Sequence, residues 1–250
     1  HSNTLGFRVF GGAAATFESG SFTTSSLSVP YSPGHPGAGA IEITGASTLV
    51  TSGVGTPHGG YGAFDVNDNG TFIVSAGADL VSTTGDVGSA TTISPGPNRP
   101  ALFRVTGAGS TATFSDELSL DMLDNTCTLE VLSGGAVTCG PLRFAGRDNT
   151  TSVVTLSGNS TLNATTGIVG ANGASALNTT TSISVGAGSS MNFTGDFADN
   201  PGYSTSGAVS VSGAFQAAAF RSNGMDMNVI ADGVASLVAT NRKQAWGRPV

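Results

Sequence analysis

The sequence predicts an all-β chain folded as one right-handed parallel β-solenoid (a β-helix) of about eight coils. Three observations carry that expectation. A single unit recurs: a short alternating strand, a glycine turn, a second strand and then a third. ALFRVTGAGSTATF at 101–114 returns as CTLEVLSGGAVTC at 127–139, with relatives through most of the chain. The turn glycines Gly45, Gly70, Gly107, Gly134, Gly158, Gly186, Gly213 and Gly233 are spaced 20–37 residues apart, and a period of a few tens of residues marks stacked repeats. Within each unit apolar residues alternate at period two, so that Leu142 and Phe144 face inward and Arg143 outward. A β-sandwich also has short strands and regular turns. It gives no reason for strand, glycine turn and strand to recur as a block.

Taken in order, residues 1–36 are the least regular. FRVF (7–10) and SFTTSSLSVP (21–30) read as strands, and PYSPGHPG (30–37) as a loop, because proline removes ladder donors. This segment is expected to cap the solenoid or to act as an arm towards another subunit. Repeats then fill 37–241, interrupted by a Gly/Pro-rich insertion at 83–100 that ends in SPGPNRP. Residues 242–250 form a basic tail. Glycine at the corners supplies the positive φ that a sharp turn needs.

Composition narrows the function classes. Glycine makes up 37 of 250 residues, charged residues only 10%, and Lys243 is the single lysine. Low charge alone would suggest disorder, but the recurring Val, Ile, Leu and Phe supply apolar surface to bury. A net charge of −7 without a basic stripe argues against a nucleic-acid partner. No apolar run is long enough to span a membrane. The chain opens on His1 without an apolar leader, which reads as a removed signal peptide or a trimmed start. The composition leans towards an exported protein.

VTGAGSTATF (105–114), LEVLSGGAVTCGPLRFAG (129–146) and VTLSGNSTL (154–162) resemble the repeats of bacterial autotransporter passengers and related exported β-solenoid proteins. The resemblance covers roughly 40–240. It implies a right-handed β-solenoid and a place outside the cell or on its surface. Its motifs are degenerate and imply no activity.

The residues that bear on chemistry are few. DVNDNG places Asp65, Asn67, Asn69 and Gly70 at the D-x-N-x-N-G spacing of a calcium loop, but Ala76 stands where that loop has its bidentate Glu. The competing reading is an Asn-Gly turn between two strands. Asp116, Glu117, Asp121 and Asp124 form the densest acidic stretch, read as a solvated loop face. Alternation turns both Cys127 and Cys139 inward, so a disulfide across the coil is expected, with two buried thiols as the alternative. Asn69, Asn149, Asn159, Asn163, Asn178 and Asn192 stand in N-x-S/T sequons, and those at 149–192 are candidates for glycosylation. Phe7, Val9 and Phe10 near the start, and Arg242, Lys243, Trp246 and Arg248 in the tail, are the candidate interface residues.

No nucleophile elbow, phosphate loop or metal-protease motif occurs. The expected function is therefore that of a non-enzymatic structural protein. It would be a subunit of an extracellular filament, sheath or fibre, whose partner is another copy of itself stacked head to tail. The alternative is an adhesin or glycan-binding passenger domain meeting surface glycans, and a polysaccharide-degrading β-solenoid enzyme ranks third. No cofactor is expected apart from the calcium reading.

Overall fold

A computed structural model of the chain describes residues 6–29, 38–53, 63–67, 69–88, 100–120, 126–144, 149–170, 179–199, 205–221, 226–231 and 236–239. These residues form 27 strands and no helix, so none of them makes a helix long and apolar enough to cross a membrane. The chain visits three sheets in rotation and returns to each on every third strand. Each sheet holds nine strands, and every pair of neighbours is parallel. The fold is a parallel β-solenoid of nine coils, one more than the turn glycines counted.

The three sheets differ in strand length. The narrow sheet has strands of two or three residues, such as Leu142–Phe144. The wide sheet has strands of four to seven, such as Thr126–Leu132. The intermediate sheet has strands of four or five, such as Ala136–Cys139. The period-two pattern accounts for this arrangement. Along Thr126–Leu132 alternate residues are buried, so Cys127, Leu129 and Val131 enter the core. One register continues through successive coils: Leu129 sits beside Val154, Val154 beside Ile183, and Ile183 beside Val209. Stacking like on like at about 4.8 Å per coil makes a continuous apolar column.

Sharp corners separate the wide and intermediate sheets. In the fifth coil Ser133 and Gly134 both take positive φ (53° and 84°). A Cβ on the next residue, Gly135, would lie 2.7 Å from the Val105 carbonyl oxygen of the preceding coil, so only glycine fits there. Buried serines close other corners. Ser110 Oγ donates to the Thr106 carbonyl (2.8 Å) and Ser160 Oγ to the Val131 carbonyl (2.6 Å). The serine-rich composition is thus partly structural, since these buried hydroxyls are spent on backbone carbonyls.

Two expectations shift at the boundaries. The segment 1–36, expected as an irregular arm or cap, contains a complete coil: Phe7–Arg8, Ala14–Phe17 and Gly20–Thr24 pair in register with the next strand of each sheet. Gly85–Val87, inside the expected insertion at 83–100, is a strand of the narrow sheet paired with Phe64–Val66 and Leu118–Leu120. Three-residue strands escape recognition because period two needs more than one repeat to show. Residues 89–99 and the tail at 242–250 lie outside the described residues.

Candidate functional site

On the narrow sheet the outward residues form a row of their own. Register places Arg8, Ser28, Asp65, Asp86, Ser119, Arg143, Ile168, Ala198 and Arg221 one above another. An outward row is ordinarily solvated, yet this one is sealed from Ser28 to Arg143. Asp65 is 1% exposed and Asp86 2%. Both are engaged by neighbouring groups. Arg143, placed outward by the alternation, turns its guanidinium onto Glu117 in the preceding turn. Its Nη2 donates to Oε2 at 2.8 Å, and its Nε reaches both carboxylate oxygens at 3.2 Å. With side chains 9% and 8% exposed, this is a planar fork-to-carboxylate pair, the geometry that best offsets desolvation of two charges. Glu117 is therefore not on a solvated acidic face, as its stretch suggested, because a neighbouring coil supplies its counter-ion.

The proposed calcium residues fall into this same region. Asp65 belongs to the strand Phe64–Val66, Asn67 Nδ2 donates to Ser28 Oγ (2.6 Å), and Asn69 has φ 59°. The Gly70 amide donates to the Asn67 carbonyl (2.8 Å), and a strand begins at Gly70 itself. Positions six to eleven of the calcium spacing are thus an extended strand rather than a loop wrapped around an ion. Among the described residues no group of three or more His, Cys, Asp or Glu side chains is placed to hold a metal.

Cys127 and Cys139 are both buried and both free thiols, so the expected disulfide is replaced by its alternative. They lie on different sheets. Cys127 stacks between Ala101 and Ser152 in the wide-sheet column, its Sγ 3.7 Å from the Thr151 carbonyl oxygen and 3.8 Å from Ser152 Oγ. Cys139 ends an intermediate-sheet strand, where burial, with the Glu117 carboxylate adding repulsion, pushes its thiol from an ordinary 9.0 up to about 12. Inward alternation of both residues did not make them neighbours, because a corner separates their strands.

Four of the proposed glycosylation asparagines are on the exterior. Asn149 and Asn159 are exposed in turns with positive φ, and Asn163 is exposed on the intermediate sheet. Asn192 is half-buried, and its Nδ2 donates to Asn163 Oδ1 one coil away (3.0 Å). Asn178 lies outside the described residues.

At the other candidate location, the N-terminal end, the three sheets each finish on a strand with no outer partner among the described residues. Phe7, Phe17 and Phe22, one from each sheet, form a cluster with ring centroids 5.3–5.5 Å apart, and all three are only half-buried. Of the interface residues read from sequence, Phe7 is in this cluster and Phe10 is 54% exposed, whereas Val9 is core at 5%. Phe17 and Phe22 were missed. The signal that marks them is their placement one per sheet in the first coil, which needs the coil boundaries to be known. Arg242, Lys243, Trp246 and Arg248 lie outside the described residues.

Comparison of the chain with protein-family models, with curated proteins and with solved structures finds no match.

Proposed function

We propose that the chain is an exported, non-enzymatic structural protein whose solenoids stack end to end into an extracellular filament, sheath or fibre. One observation carries this reading. The first coil presents three parallel strand edges without an outer partner among the described residues, together with a half-buried aromatic cluster, and an uncovered sheet edge is a template for another strand. A head-to-tail contact that does not close gives an open polymer. The in-register pairing of nine successive strands in each sheet supplies the rule by which the ladder would continue from one copy into the next. Asp65 and Asp86 do not favour an enzyme reading. They stand side by side, but at 1% and 2% exposure they leave a substrate nothing to touch.

Purified protein examined by sedimentation and negative-stain electron microscopy is expected to form linear polymers as its concentration rises. A species that stays monomeric at millimolar concentration, with no polymers on the grid, ends this reading.

A second reading has its own support. The intermediate sheet carries an outward row of Val81, Thr113, Thr138, Asn163, Asn192 and Gln216, uncharged and largely exposed. A neutral hydroxyl and amide surface suits a neutral glycan better than a charged partner. A glycan array decides it: selective binding that Asn163→Ala weakens favours the adhesin or glycan-binding reading, and a blank array removes it.

A further inference from the structure

Resting on the end-to-end reading, we propose that Trp246 of one copy seats in a socket in the first two coils of the next copy and anchors the joint. The socket is a cavity of about 190 Å³ lined by Phe17, Phe22, Ile43 and Leu49, with Ser21 and Thr48 at its polar side. At a liquid share of about 30 Å³ per water, it holds roughly six waters, far more than a single structural water and suited to a large side chain. One wall is the pair of rings Phe17 and Phe22, packed against each other with centroids 5.3 Å apart. An apolar wall with hydroxyls on one side suits an indole, which is apolar over its faces and polar only at its N–H.

Charge favours the same occupant. Three of the nine basic residues and none of the sixteen acidic ones fall within 242–250, so the tail is +3 against −10 for the remainder. Glu18, between the socket residues Phe17 and Ser19 in sequence, is exposed. Arg242 and Lys243, four and three residues before the tryptophan, are the cations that the proposal pairs with it.

Reach requires a second copy. The last described strand, Ser236–Ala239, belongs to the intermediate sheet at the far end from Gly20–Thr24, eight coil steps away. That separation is about 38 Å at about 4.8 Å per step. Trp246 follows Ala239 by seven residues, which span at most about 25 Å when fully extended. Within one chain the indole falls short. In a stacked pair the socket of the next copy begins about one ladder spacing beyond Ala239, on the same sheet.

Trp246 is the only tryptophan, so Trp246→Ala leaves a full chain without tryptophan. The experiment adds a synthetic peptide of residues 240–250 to that chain and reads the peptide's fluorescence. The expected result is a saturable blue shift, weakened at least fivefold in affinity by Glu18→Lys and absent for the chain carrying Phe22→Ser. In the unmodified chain the emission is expected to shift to the red on dilution. No shift at millimolar peptide overturns the proposal, as does a blue shift in the unmodified chain that dilution leaves unchanged, since the indole would then be seated within its own copy. Polymers that form as readily from Trp246→Ala as from the unmodified chain overturn the socket while the end-to-end reading stands. Peptide binding without any polymers supports the socket and removes the filament.

Discussion

The first and fourth coils are built alike and differ in what lies above and below them. In the fourth coil Phe103 and Phe114 are 0% and 2% exposed, and with Phe64 and Phe72 of the third coil they form a cluster of tilted and edge-on rings 4.8–6.0 Å apart. In the first coil Phe7, Phe17 and Phe22 pack at similar separations and remain half-buried. The difference teaches that a solenoid's core is made between coils rather than within one. Among the described residues the first coil has a neighbour on one side only, and its aromatic side chains are less buried than those of the fourth. Apolar surface left over therefore collects at an end, and an end is where association gains most.

The sharpest way to break this comparison is to truncate both aromatic sets. Phe103→Ala is expected to destabilise the fold by about 3–5 kcal/mol, transfer and cavity contributions together. Phe22→Ala is expected to cost under about 2 kcal/mol, because part of that ring is never removed from water. Denaturant unfolding of the two variants checks it, and equal losses would show that the first coil is as enclosed as the fourth.

Charge offers a parallel contrast. Removing one partner of the sealed pair, as in Glu117→Gln, is expected to cost about 3–5 kcal/mol by leaving a buried guanidinium without its counter-ion. The exposed pair Arg221 and Asp196, with side chains 51% and 36% exposed, makes a 2.6 Å contact that is shorter than any in the buried pair. Its removal by Asp196→Asn is expected to change stability by less than about 1 kcal/mol. If the two losses match, distance rather than burial governs the pairs.

A third test concerns packing. Large residues in one coil lie over small ones in the next: a Cβ on Gly167 would come within 2.3 Å of the Phe197 ring, and one on Gly85 within 2.9 Å of the Leu118 side chain. Gly167→Ala is expected to destabilise by about 1–3 kcal/mol through overpacking. Coupling it with Phe197→Leu should recover part of that loss in thermal melts, and no recovery would place the strain elsewhere.

The smallest effect is expected at Cys139. With its thiol raised to about 12, the native chain keeps a proton that the unfolded chain releases from about 9.0 upwards. The contribution to stability is whole below pH 9.0 and declines as pH rises towards 12. Iodoacetamide at pH 8 should therefore label Cys139 slowly in the native protein and quickly in denaturant. Fast native labelling would show that the intermediate sheet opens at its strand end.

Much of the architecture was legible in the letters. The inward set Leu129, Val131, Val154 and Leu156 followed from alternation, and the corners at Gly107, Gly134 and Gly158 followed from the glycine spacing. What failed was short or depended on a neighbour. Gly85–Val87 has too few residues to show a period, and Phe7–Thr24 looked irregular because its coil opens on a two-residue strand. The Asp65–Gly70 spacing fits both a calcium loop and an Asn-Gly turn, and only the strand starting at Gly70 separates them.

The sequence by itself determined the alternation of inside and outside along the longer strands and the recurrence of the coil, because these are properties of residues close together along the chain. Tertiary structure alone decided that Glu117 and Arg143, 26 residues apart, form a sealed pair. It also decided that Cys127 and Cys139, twelve apart, stay apart as thiols, and that Phe7, Phe17 and Phe22 converge on one open end. The physical reason is the stacking itself. Neighbours across a coil step are separated by the length of a whole turn, and that length is set by loops whose residues carry no periodic signal.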